Sequence, residues 1–493
     1  MADTNATRLG FIREVTAGVI PASPAFQRLR YTGAPDLGQT PTTVESEEIL
    51  DSGELSDTAL TAIDVGGSVN IEFSHESYDD PLEAAMRGTY QTKRALKTQA
   101  SHGLNITGPS TVSCSTTAGI VIGDIIYLDG YANTLNSGAF EVSAVTLDTS
   151  YTVTQIGGAA ATLATESAPA GATAHKIGFV LAATEVVGSA QSGGQATLTF
   201  TGTTLTSESL SPGDYIQITG WADGLSNGAT NDGLYRIVSV DSATALTVDQ
   251  LPAGYAADDG AGADFVVYMG ERLFNEKDRY TYTLQEVFTD IGTDPNFLRQ
   301  VLSGMGLNTL GLTIEAESLI TGAINFVGTT AKYANAPESG ETFVESPTTS
   351  PLNSSSDVAR IFEAGSALDN VNCVQSMSLD INNNLEKKPC VGKTGGAGFR
   401  RGTFSVSGSL TTYFDDESQV QKVISQAETS LALGFTDTVG RGYVFDMPRV
   451  KLTEGGPSVP GRNDDVIAQL AYTALRSPVY GYTLKLMRFW ALV

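Results

Sequence analysis

One stretch occurs twice in this chain and limits what it can fold into. Gly66–Asp80 reads Gly-Gly-Ser-Val-Asn-Ile-Glu-Phe-Ser-His-Glu-Ser-Tyr-Asp-Asp, and Gly402–Asp416 reads Gly-Thr-Phe-Ser-Val-Ser-Gly-Ser-Leu-Thr-Thr-Tyr-Phe-Asp-Asp. Both begin at glycine, alternate apolar with polar residues, and close on an aromatic followed by two aspartates. Val69, Ile71 and Phe73 in one copy, and Phe404, Val406 and Leu410 in the other, have the two-residue period of a half-buried strand. The second aspartate of each copy, Asp80 or Asp416, suits a helix N-cap. Pro81 and Glu83 follow in one copy, Gln419 in the other. Val420, Val423, Ile424 and Ala427 then share one helix face. A strand–cap–helix unit written twice predicts a duplicated, mostly β fold.

The charge balance narrows the function. Lys plus Arg is 29 and Asp plus Glu is 55, a formal net charge of −26. That argues against wrapping nucleic acid by phosphate neutralisation and against docking on an anionic membrane. It suits a surface that stays soluble or repels a polyanion. Cys114, Cys373 and Cys390 are odd in number and widely spaced, which suits free thiols in a reducing compartment; a Cys373–Cys390 pairing stays open. The first residues carry no apolar signal core, and no stretch has transmembrane length. The expectation is a chain made in a cytoplasm and soluble until it assembles.

A second repeat lies inside the first unit. Gly123–Asn133 is matched by Gly213–Asp223, Phe140–Val145 by Tyr235–Val240, and Thr152–Ile156 by Thr247–Leu251. The closing segment Gly178–Leu181 resembles Asp264–Tyr268. These are two tandem small β-domains with short strands at turn-marked intervals. The expected division is therefore residues 1–104 with 264–334 as one β-barrel or sandwich, 105–182 and 183–263 as inserted domains, and 335–493 as the second barrel or sandwich. Each barrel carries one short helix. Residues 329–357 read as a linker or exchanged arm.

No motif nominates a reaction. Gly392-Lys393-Thr394 lacks the earlier glycine of a phosphate loop, Lys387 standing in its place. His75, His102 and His175 have no metal spacing, and His75 sits where a solvated side chain is expected. Asp380, Asn382 and Asn384 begin like a calcium loop but lack its glycine and terminal Glu. Asp258, Asp259 and Asp264 read as an acidic loop. The pairs Asp79-Asp80 and Asp415-Asp416 read as helix caps rather than a glycosidase pair. The expectation is no enzyme, no cofactor and no metal. Tyr131 and Trp221 occupy equivalent positions in the inserted domains. They either fill the cores or stack on sugars, and the second option makes a carbohydrate-binding or adhesion protein the alternative function.

The connections leading into the two copies differ in sign. Residues 33–65 carry Glu47, Glu48, Asp51 and Glu54 without a Lys or Arg, whereas 382–401 carry Lys387, Lys388, Lys393, Arg400 and Arg401 against Glu386. Loops of opposite sign at equivalent places are candidates for contact between copies, and head-to-tail contacts build open filaments.

These residues also resemble a known family, the major tail tube proteins of long-tailed bacteriophages with two related halves. The likeness runs through Thr7–Phe26, Ser46–Ile49, Gly66–Asp80, Gly304–Gly328, Gly402–Asp416 and Met447–Leu452. The insertion departs from the family's core pattern. The resemblance implies a structural subunit of the virion tail, made in the host bacterial cytoplasm. It implies rings of six barrels stacked into a hollow tube, so that three duplicated chains make one ring. The implied partners are copies of itself and the tail tip, tape-measure and tail terminator proteins. DNA meets it only in transit through an acid-lined lumen.

Overall fold

The computed structural model describes residues 6–490 apart from 92–95, 183–184, 202–204, 222–230, 253, 259–264, 364–365, 368–372, 415–417, 439, 460 and 462–464. The chain is mostly β, with its described strands in two large sheets and one two-stranded hairpin. Eight strands position everything that follows. They are β1 (Thr32–Glu45), β2 (Thr58–Glu72), β3 (Asn296–Glu315), β4 (Thr321–Gly328), β5 (Val374–Asn382), β6 (Ser405–Tyr413), β7 (Gly442–Ser458) and β8 (Ile467–Ala474). They pair antiparallel in the order β1-β2-β4-β3-β5-β6-β8-β7. The order of the first four is repeated by the second four, which is the duplication in three dimensions.

The strand pairings fix which residues are equivalent. Gly67 lies opposite Phe326, and Gly408 opposite Tyr472. The bulge at Leu307/Thr309 in β3 recurs at Leu452/Glu454 in β7. Gly67 therefore corresponds to Gly408, so the sequence alignment that set Gly66 against Gly402 is displaced in register. Both strands alternate with the same period. The displacement is five residues, an odd number: matching the glycine and Asp-Asp ends sets buried Val69 against Ser405, whereas the cross-strand partners set it against buried Leu410.

Each long strand changes partners along its length. The first half of β3 pairs with Tyr282–Thr293, and its second half pairs with β5. The first half of β7 likewise pairs with Glu428–Thr436, and also with the last strand, β9 (Lys485–Phe489). Alternate residues of the eight-stranded sheet are buried in one large core: Val69, Ile71, Leu310, Leu312, Met377, Leu379, Ile381, Val406, Leu410, Leu452 and Leu470. Full burial of such side chains stabilises by roughly 1.5–3 kcal/mol each.

The segment 329–357 packs along the first unit instead of forming a loose linker. Thr330–Ala334 pairs with β3, Thr342–Val344 pairs in parallel with Ala25–Arg28, and Leu352 is fully buried. The polar connection 33–65 is mainly a hairpin: β1 and β2 extend to Glu45 and Thr58, leaving only 46–57 as its tip. Thr and Val at every second position supply β propensity there.

The second sheet gathers the strands between Lys97 and Met269. Thr173–Leu181 closes one repeat and Phe265–Met269 the other, and these two strands pair antiparallel with each other, Phe179 opposite Val267. The segments that look alike in sequence are thus partners across a pseudo-twofold axis.

Candidate assembly surfaces

The face of the eight-stranded sheet turned away from the core is polar. Asp36, Thr40, Ser68, Asn70 and Glu72 alternate with the buried residues of β1 and β2, and Thr309, Thr313, Glu315 and Asn325 with those of β3 and β4. Ser378, Asp380, Asn382, Ser407, Ser409, Thr411, Gln469, Thr473 and Glu454 continue it across the second four strands. Hydroxyls and amides dominate, acids are spaced among them, and Lys451 adds a cation opposite Thr473. Burial pushes the Asp380 carboxyl above its ordinary value.

At the centre of this sheet the two units are joined. Thr309–Glu315 of β3 pairs with Ser376–Asn382 of β5, with Gly311 opposite Asp380. The outer edges are β1 and the second half of β7. Among the described residues, β1 pairs only with β2, and Leu452–Ser458 only with β8. By the equivalences above, β7 is the counterpart of β3 and β1 the counterpart of β5. The chain thus carries at its two ends the same two edges that it joins in its middle. An unpaired edge is a template for another strand.

The two connections leave the same end of the sheet. The tip 46–57 presents Glu47, Glu48, Asp51 and Glu54 to solvent, together with Ile49, which is 95% exposed, and Leu55. The other connection forms a short hairpin of Leu385–Lys387 with Phe399–Arg401. Lys387 Nζ reaches Asp64 at 2.7 Å, and the Ile63 amide donates to the Thr394 carbonyl at 3.1 Å. One acid–base contact between the connections is therefore made within a single chain. Arg400 pairs with Glu386, Arg401 donates to the Lys277 carbonyl, and Lys388 and Lys393 are exposed. A cleft of about 980 Å³ opens between the units, lined in part by Glu14, Arg87, Asn383, Lys388, Lys393 and Arg401.

The insert is bolted to the body by buried charge. Asp446 in β7 is fully buried and accepts from the hydroxyls of Tyr215 at 2.9 Å and Tyr482 at 2.7 Å, and from Arg236 at 3.2 Å. Lys485 in β9 contacts Asp214 at 2.5 Å, and Arg272 contacts the same carboxylate at 3.2 Å. Asp214 is the aspartate of the repeated Gly-Asp motif. Its counterpart Asp124 is held by Lys176 at 2.6 Å, and Lys176 also reaches Glu208 of the second repeat at 2.8 Å. Each Gly-Asp turn thus holds a buried cation: Asp214 takes Lys485 and Arg272 from the body, and Asp124 takes Lys176 of its own repeat, which also reaches into the second. Sequence reasoning missed this network, although the Gly-Asp repeat was its visible trace.

Several expected roles are corrected by burial. Asp79 and Asp80 open the helix Asp79–Met86, but Tyr78 is its N-cap and no side chain caps it. Asp79 instead accepts from Tyr443 at 2.6 Å and pairs with Arg488; Asp80 accepts from Tyr282 at 2.8 Å and from Arg13. Asp415 and Asp416 lie outside the described residues, as do Asp259 and Asp264. Tyr131 and Trp221 are buried in their domain cores, Tyr131 donating to the Leu104 carbonyl at 3.1 Å and Trp221 to Asp258 at 2.7 Å, so neither ring face is open for a sugar. The three cysteines are free thiols. Among the described residues no cluster of His, Cys, Asp or Glu could hold a metal ion, and no helix is long and apolar enough to cross a membrane.

His75 is fully buried rather than solvated. It lies between Tyr443 and Trp490, with Nε2 3.0 Å from the Phe489 carbonyl. Burial pulls it down to about 4, whereas burial and then Asp129 push neighbouring Glu76 up to about 7. The signs oppose each other. The neutral His75 contributes stability that is complete above its unfolded value and is lost as pH falls toward 4. The protonated Glu76 contributes stability complete below its unfolded value and lost as pH rises through about 7. Glu76→Gln is therefore expected to stabilise by about 1–2 kcal/mol at pH 8, and by little at pH 5. Denaturant unfolding at the two pH values checks it; an equal effect at both would contradict it.

The sequence model of the family described as "Phage tail tube protein" matches residues 4–209 and 218–474. The chain belongs to that family. It is a structural protein of the phage virion tail, with a duplicated β fold. No curated protein matches it. Among solved structures the tail tube chain is similar to "Phage phi92 endosialidase" at 10% identity, covering 99% of this chain and 69% of that one; the TM-score of 0.15 carries no argument.

Proposed function

We propose that three copies of this tail tube chain close a ring through the edges β7 and β1, and that such rings stack into a tube that conducts DNA. The joint between β3 and β5 carries the proposal, because it is a worked example of the pairing that the two free edges require. Carried over residue by residue, Thr309–Asn382 becomes Glu454 opposite Thr40, Gly311–Asp380 becomes Gly456 opposite Gly38, and Thr313–Ser378 becomes Ser458 opposite Asp36. The polar face then lines the lumen, where spaced carboxylates repel phosphate and hydroxyls offer it no strong partner. Acidic and basic connections alternate around one rim, with Glu47, Glu48, Asp51, Glu54, Lys387, Lys388, Lys393, Arg400 and Arg401 as its contact residues, within the ring and to the next. The body comprises 1–104 with 264–334 and 335–493, and the two inserted domains 105–182 and 183–263 ride on it. The role is structural rather than catalytic. Synthesis is in the host cytoplasm, and the tail tip, tape-measure and terminator proteins meet the tube at its ends and inside it.

The test is a cross-link. A Cβ built on Gly38 or on Gly456 meets nothing within 4 Å, so cysteine fits at either position in the single chain. Directly opposed residues in an antiparallel pair lie about 4.5–5.5 Å apart at Cα, within disulfide reach. With the exposed Cys373 and Cys390 replaced by Ser in both variants, Gly38→Cys with Gly456→Cys is expected to give a closed covalent trimer on oxidation, seen on non-reducing gels. Thr40→Cys with Gly456→Cys, two residues out of register, is expected to give none. Absence of any cross-link in the first variant would overturn the proposed ring.

A further inference from the structure

The insert sits on the side of the body away from the polar face. Tyr215 and Leu234 of the insert pack against Phe362, Ala432, Val444, Met487 and Phe489. On the same strand as Ala432, Leu431 and Leu433 point the other way, into the core beneath the eight-stranded sheet. The insert therefore covers the outer wall of the second unit.

Its charge is of one sign. Between Lys97 and Met269 the sequence holds fifteen acidic residues and three basic ones, Lys97, Lys176 and Arg236. All three bases are buried: Lys97 donates to the Ala118 carbonyl at 2.9 Å, Lys176 is held by Asp124 and Glu208, and Arg236 by Asp249 and Asp446. Asp129, Glu141, Asp148, Glu166, Glu185 and Asp241 reach the surface. The body, by contrast, exposes both signs, with Arg28, Lys332, Arg400 and Arg449 in surface ion pairs. The outer insert thus keeps every cation for internal use and shows solvent none. It also exposes apolar side chains, Val121 at 59%, Ile122 at 68% and Leu147 at 78%, which favour adhesion.

We propose that the insert is an electrostatic coat, a surface from which cations have been excluded so that assembled tubes repel one another and other polyanions. This rests on the assembly proposed above. Like-charge surfaces hold apart over the Debye length, about 30 Å at 0.01 M salt and about 8 Å at physiological strength. A patch of opposite sign would instead find acids on every neighbouring copy.

The experiment places charge where no partner is disturbed. Val121→Lys, Ile122→Lys and Leu147→Lys together make the surface more hydrophilic while breaking its single sign; the matched Glu triple variant keeps the sign. Light scattering and negative-stain microscopy follow tubes of full-length protein at about 0.01 M salt. Wild type and the Glu variant are expected to stay dispersed. The Lys variant is expected to bundle, with at least a several-fold rise in scattering that reverses as salt is added. A Lys variant as dispersed as the Glu variant, or wild-type tubes that bundle at low salt, would overturn the coat. Absence of tubes from wild-type protein would instead remove the assembly on which it rests.

Discussion

Asp446→Ala is expected to destabilise the chain by about 3–5 kcal/mol, the cost of breaking a buried ion pair from one side. Asp446 is fully buried, and its carboxylate is shared by Tyr215, Tyr482 and Arg236. Removing it leaves a guanidinium and two phenol hydroxyls facing each other in a dry junction. Arg236 keeps Asp249 at 2.8 Å, so the loss is that of one partner rather than of the whole network. The thermal midpoint should fall by roughly 10 °C, using about 2–4 °C per kcal/mol for a unit of this size. Hydrogen exchange should rise first in Tyr215–Thr219 and Gly233–Ser242, the strands that meet the body. The contrasting variant replaces Lys485 with Met and Asp214 with Asn, removing both charges of a pair while leaving an amide oxygen for Arg272, which also donates to Ser211 and to the Ser209 carbonyl; its expected cost is smaller. An unchanged midpoint in Asp446→Ala would mean that the insert is held by its apolar contacts alone.

Gly67→Ala is expected to abolish ring formation while leaving a soluble single chain. Gly67 has φ of +140°, outside the range of L side chains, and an added Cβ would collide with the Asp36 carbonyl on the adjacent strand. The collision pushes β1 off β2, and β1 is the edge offered to the next copy. Strain of this kind costs about 1–3 kcal/mol locally, a modest part of the chain's stability. Its effect on assembly is larger, because every ring needs three intact β1 edges in register. Sedimentation velocity should show single chains at concentrations where wild type forms rings. Gly408 is the equivalent residue, and there the same substitution meets the Ser378 carbonyl and Tyr472 inside the chain. Gly408→Ala should therefore lower stability and disturb assembly only through it. Rings formed normally by Gly67→Ala would separate the β1 edge from assembly.

The amino-acid sequence by itself determined the strand periods, both repeats and the family. Alternation of side chains along a strand and turn residues between strands are local, and local rules are written in order along the chain. The opposite signs of the two connections were legible for the same reason. Only the tertiary structure decided the register of the duplication: the glycine and Asp-Asp ends of the two copies match at one offset, and the cross-strand partners select another, five residues away, that keeps the buried faces together. It alone turned Asp79 and Asp80 from helix caps into partners of Arg488 and Arg13, and moved His75 from solvent into a dry site beside Trp490. It also placed Asp446, Lys485 and Arg236 together, although up to about 250 residues separate them in the chain. Long-range partners are set by how sheets close and stack, and no local pattern records which distant carboxylate will meet a buried cation.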